Sequence, residues 1–71
     1  MFSLTLALDA LPIWQLETLT AALDEHNVTW ESWGVQMFDV KGEDERTVRL
    51  ACDAALQRIG KRTADYEIAL F

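Results

Sequence analysis

The sequence predicts an α+β domain of ferredoxin-like order, β-α-β-β-α-β, in which an antiparallel sheet carries two helices on one face. Three observations predict it. Residues 2–8 and 64–71 alternate with a period of two. Two separate stretches repeat their apolar residues at helical spacing. The stretch between them, residues 28–40, is rich in Val, Trp and Phe, the residues that fit a pleated, half-buried surface.

In the first strand Phe2, Leu4, Leu6 and Leu8 fall on one side, with Ser3, Thr5 and Ala7 on the other. Asp9 is placed to cap the first helix, and Pro12 falls in its first turn, where a missing N–H costs little. Ile13, Leu16, Leu19 and Leu23 form the apolar stripe of that helix, which closes at His26 and Asn27, with Asn27 as a left-handed cap.

From Val28 to Val40 the alternation changes phase. Val28 and Trp30 share one parity, Trp33, Val35 and Met37 the other, and Phe38 and Val40 the first again. Such a slip predicts a turn or bulge near 32–34, hence two strands, Val28–Glu31 and Val35–Val40, paired as a hairpin; one long bulged strand is the alternative.

Lys41 and Gly42 are read as a turn, after which Glu43, Asp44 and Glu45 set three negative charges at the positive end of the second helix. Val48, Ala51, Cys52, Ala55 and Ile59 form its stripe, Arg58, Lys61 and Arg62 lie at its C-terminal end, and Gly60 stops it. The last strand, 64–71, sets Ala64, Tyr66, Ile68 and Leu70 opposite Asp65, Glu67, Ala69 and Phe71.

A chain of 71 residues supports one core, so residues 1–71 are read as a single domain. Small domains without disulfides or metals are marginally stable alone, and pairing stabilises them, so a homodimer is expected. The one cysteine, Cys52, allows no intramolecular disulfide. With no signal-peptide pattern and no apolar run of bilayer length, a cytoplasmic protein is expected. A formal charge of −6 repels phosphate, so nucleic acid and membrane are not the expected partners.

No catalytic, cofactor-binding or metal-ligating set emerges. His26 stands beside Asp24 and Glu25, but neighbours in sequence do not face one ligand from a helix. Cys52 sits inside an apolar stripe, away from the positive surroundings a reactive thiolate needs. The run 43–45 lacks the alternating oxygen ligands of a calcium loop, and the glycines at 34, 42 and 60 form no phosphate cradle.

The informative residues are apolar ones that a core does not need. With Leu16 as the centre of its stripe, Trp14 lies about 160° away among polar residues, and Leu50 lies about 200° from Val48. Depending on which parity of the hairpin faces the helices, either Trp30 and Phe38 or Trp33, Val35 and Met37 project from the open sheet face. The residues read as partner-binding are therefore Trp14, Trp33, Leu50, Val35 and Met37.

The expected function is that of a non-enzymatic, acidic protein-binding module, an inhibitor, regulator or adaptor. Its charge would steer it to a basic surface and its aromatic residues would anchor it there. Mimicry of DNA ranks below this, because Arg46, Arg49, Arg58, Lys61 and Arg62 balance the acids locally. The alternative is a dimeric domain that binds or transforms a small molecule in a pocket lined by Trp30, Trp33, Met37 and Tyr66.

Overall fold

The structure, a computed structural model, describes residues 1–8, 11–33 and 37–68. Its elements are β1 (Phe2–Ala7), α1 (Ile13–Asp24), β2 (Val28–Trp33), β3 (Met37–Gly42), α2 (Glu45–Gln57), a 3₁₀ turn (Thr63–Asp65) and β4 (Glu67–Ile68). The strands lie in the order β2-β3-β1-β4, each antiparallel to its neighbour. The class is α+β: an antiparallel sheet with two helices.

Strand parity explains the layering. Leu4 pairs with Val40 and Leu6 with Phe38, and Trp30 faces Val40 from the other side. Directly opposed residues share a face, so Leu4, Leu6, Phe38, Val40 and Trp30 all turn toward the helices. There they meet Leu19, Ala22 and Leu23 of α1 and Val48, Ala51, Cys52, Ala55 and Leu56 of α2, nearly all of them fully buried. Each large aliphatic side chain so buried contributes about 1.5–3 kcal/mol.

Residues 28–40 resolve into two strands in continuous register, Val28 opposite Gly42 through Trp33 opposite Met37. The first strand runs two residues further than its alternation suggested, and residues 34–36 lie outside the described residues. Lys41 and Gly42, expected in a turn, extend β3 because β1 continues to pair with them.

Helix α1 begins one residue later than the proline signal implied. Pro12 is the N-cap, with extended backbone (φ −60°, ψ 153°), and its carbonyl accepts from the N–H groups of Gln15 and Leu16 at 3.0 and 3.2 Å. The expected cap Asp9 lies outside the described residues. Ile13, expected in the buried stripe, is 73% exposed. The stripe is centred between Leu19, Ala22 and Leu23, which puts Ile13 about 120° off axis. Among the described residues no non-glycine has positive φ, so Asn27 is not a left-handed cap.

Helix α2 follows its signals closely. The Asp44 side chain accepts from the Thr47 N–H at 2.7 Å, the N-cap geometry that satisfies an orphan donor. At the other end Gly60 adopts φ +73°. Its N–H donates to the Gln57 carbonyl at 3.1 Å and that of Lys61 to the Leu56 carbonyl at 2.9 Å, the pair of bonds that closes a Schellman motif.

The segment expected as a strand over 64–71 is different. Residues 63–65 form a 3₁₀ turn, closed by the N–H groups of Asp65 and Tyr66 on the carbonyls of Arg62 and Thr63, at 3.1 and 3.0 Å. The Thr63 hydroxyl is tied to Asp53 of α2, which holds the chain off the sheet until Tyr66. Pairing with β1 then covers Glu67 and Ile68, and residues 69–71 lie outside the described residues.

Arg49 fastens this edge. It bonds Glu45 at 2.9 Å along its own helix, meets both carboxylate oxygens of Glu67 at 2.9 and 3.0 Å, and stands 5.8 Å from the ring centre of Phe2. These contacts join α2, β4 and β1, and a bidentate guanidinium–carboxylate pair is the strong form of such a bridge.

Two glycines separate packing from backbone strain. A Cβ at Gly42 would stand 2.8 Å from Val48 Cγ2 and 3.2 Å from Val28 Cγ1, both on stiff β-branched side chains. Gly42→Ala should therefore cost about 1–3 kcal/mol in urea unfolding, as overpacked cores do. A Cβ at Gly60 meets nothing within 4 Å, so Gly60→Ala should cost only the left-handed backbone term, about 1–2 kcal/mol.

The cap gives a prediction with a sign. The Thr47 N–H holds the Asp44 carboxyl below its ordinary value of 3.8. Its stabilisation is therefore complete above the unfolded value and is lost as pH falls through the lowered folded value. In acid titrations of the unfolding midpoint, Asp44→Asn should lose stability at neutral pH and show a flatter decline below about pH 4.

Candidate functional site

The sheet has two unlike sides. On the side away from the helices, β2 presents Thr29, Glu31 and Trp33, β3 presents Lys41, Asp39 and Met37, and β1 presents Ser3, Thr5 and Ala7. The register sorts these into three rows. Thr29, Lys41 and Ser3 form a polar row, Glu31, Asp39 and Thr5 an acidic one, and Trp33, Met37 and Ala7 an apolar one.

The rows differ in how they are held. In the middle row the Thr5 hydroxyl donates to Asp39 Oδ1 at 2.7 Å, and Thr5 is buried. Glu31 stands directly opposite Asp39, and neither joins an ion pair among the described residues. In the apolar row Trp33 is 53% exposed while Met37 and Ala7 are half-buried.

The hairpin parity is thereby decided. Trp30 and Phe38 belong to the helix side, where their ring centres lie 5.9 Å apart at 47° and the Trp30 indole N–H donates to Asp24 Oδ1 at 2.8 Å. That bond ties the end of α1 to β2. It also gives a partly buried tryptophan a polar partner for its indole N–H.

The residues expected to bind a partner do not share one surface. Trp33 and Met37 are brought together as a cross-strand pair. Trp14 and Leu50, 62% and 55% exposed, stand on α1 and α2, with the sheet between them and Trp33. Val35 lies outside the described residues. The exposed Ile13 beside Trp14 was missed, because a stripe centred on Leu16 absorbs it.

The pocket expected from Trp30, Trp33, Met37 and Tyr66 does not assemble. Trp30 and Trp33 occupy opposite sides of the sheet, and Tyr66 is buried with the core. An open cleft of about 600 Å³ lies elsewhere, where β2 begins and β3 ends, lined among others by His26, Asn27, Lys41, Gly42, Glu43 and Thr47. Periodicity gave no sign of it, since it is made by a helix exit, a strand end and a cap.

Among the described residues no group of three or more His, Cys, Asp or Glu is placed to hold a metal ion, and no helix is long and apolar enough to cross a membrane.

Cys52 is fully buried on α2, and burial pushes its thiol up to about 12, with Asp53 and Glu67 adding to the rise. A thiol of that kind is a poor nucleophile, because the thiolate is the reactive form. Labelling with a water-soluble disulfide reagent at pH 8 should accordingly be blocked in the folded chain and should rise with urea along the unfolding curve. Fast labelling without denaturant would show an opening that the packing does not provide. No protein-family model, curated protein or solved structure matches the chain.

Proposed function

We propose that this chain is a non-enzymatic protein-binding module, an inhibitor, regulator or adaptor, that presents the helix-free side of its sheet to another protein. The observation that carries the reading is Trp33 paired across the ladder with Met37, with Ala7 next to it, on a face without a helix among the described residues. A rigid aromatic in an apolar row, bordered by a charged one, is the kind of anchor that protein interfaces use. The formal charge of −6 supports a basic partner through steering.

Three finer readings accompany it. The neighbour order β2-β3-β1-β4 supports the ferredoxin-like arrangement, with β4 only two residues long. Self-association remains part of the proposal, favoured by the small core. A cytoplasmic setting fits the single, free, buried Cys52.

The second reading, a small-molecule site, is favoured by the cleft, whose Lys41, His26 and Asn27 offer polar groups to a ligand. One set of variants separates the two. Trp33→Ser should reduce capture of a stoichiometric partner at least about tenfold while changing unfolding free energy by no more than about 0.5 kcal/mol, as surface substitutions do. His26→Ala should leave capture unchanged. Capture that survives Trp33→Ser, or that fails in His26→Ala, would move the function to the cleft.

A further inference from the structure

We infer that the partner surface of this sheet face is basic, and that it docks by an arginine seated over the Glu31–Asp39 pair with its stem laid along Trp33 and Met37. The inference rests on the protein-binding reading above and names the chemistry of the partner.

Glu31 and Asp39 are directly opposed in the β2–β3 ladder, where Cβ atoms stand about 4.5–5.5 Å apart and like charges repel. Asp39 is further fixed by the Thr5 hydroxyl at 2.7 Å. The chain could have matched one of these acids with a base, yet Lys41 is the one base on this side among the described residues, one row away. It joins no ion pair there. The other five bases, Arg46, Arg49, Arg58, Lys61 and Arg62, lie on α2 or between α2 and β4. Two carboxylates held side by side thus await a cation from outside.

The neighbouring row selects the cation. Trp33 follows Glu31 by two residues on the same side, and Met37 precedes Asp39 by two, a spacing of about 7 Å along each strand. An arginine spans that distance: its fork bonds the carboxylates while its planar face and stem cover the indole. A second copy of this chain fits poorly. Packed face to face, it would offer one Lys41 against two carboxylates and would add a net negative face to a net negative face.

The test uses the whole chain, labelled with ¹⁵N, and two capped pentapeptides, Gly-Leu-Arg-Leu-Gly and the same peptide with neutral, isosteric citrulline in place of arginine. The arginine peptide should shift the Trp33 indole N–H resonance and bind about tenfold more tightly than the citrulline peptide, with affinity falling as salt rises. Glu31→Gln should weaken the arginine peptide several-fold and leave the citrulline peptide unchanged. It should also raise the urea midpoint by relieving the repulsion, which shows that the variant folds. Equal binding of the two peptides at Trp33 would overturn the arginine inference and leave the apolar docking reading standing. No shift at Trp33 with either peptide would overturn it as well, and so would a dimer by light scattering with Trp33 buried in it, which would make a second copy the occupant.

Discussion

The rest of the structure depends on the pairing of β1 with β3, Leu4 against Val40 and Leu6 against Phe38. Because side chains alternate strictly, a slip of one residue in this ladder would send every one of these groups to the wrong side. The register therefore decides what the helices can bury, and α1 and α2 pack on the continuous aliphatic surface it turns toward them. It also decides, by exclusion, what the other side displays. Thr5, Asp39 and Met37 lie on the open face because Leu4, Leu6, Phe38 and Val40 cannot.

Around that ladder, polar contacts act at the borders of the core. Trp30 bonds Asp24, Arg49 bonds Glu45 and Glu67, Arg58 bonds Glu25, and Thr63 bonds Asp53. All but the Arg49–Glu45 bond join elements distant in sequence or adjacent across a turn, so they fix orientation more than they add stability, since exposed ion pairs contribute little. The Arg49 bridge is the exception in design. Glu67 is partly shielded, and a strand described over two residues has few ladder bonds of its own to hold it.

Much of the layout was legible because its signals are local. The alternation of residues 2–8, the charges and cap before α2, and Gly60 after it all encode their own geometry. The phase change in 28–40 pointed to two strands while leaving one long bulged strand open, and parity alone could not say which side met the helices; both needed the register of β2, β3 and β1. Ile13 and Asn27 misled for a related reason: a helix stripe read without its partner helix can be centred one residue wrong, and a cap residue does not compel its own φ. The 3₁₀ turn at 63–65 was hidden by an alternation that Thr63, tied to Asp53, overrides. Trp14 and Leu50 were correctly read as off the stripe, yet which exposed residues share a surface is a property of the assembled layers, and the ladder joins Trp33 with Met37 on the side of the sheet away from both.

The position of β2 at the edge of the sheet adds a last constraint on function. An edge strand offers unpaired backbone groups to any other strand, and proteins discourage this with charges along it. Glu31 is such a charge on β2. In an antiparallel edge pairing centred on residue 31, a second copy would set another Glu31 against this one, beside an Asp39 already opposed to it. On the proposed reading, the carboxylates that would repel an identical edge would also attract a cationic partner, so that protection of the edge and choice of a partner would be one electrostatic arrangement. Because the helix-facing residues carry the stability, this arrangement can vary with little effect on the core, and it is on the open face that binding specificity can be built.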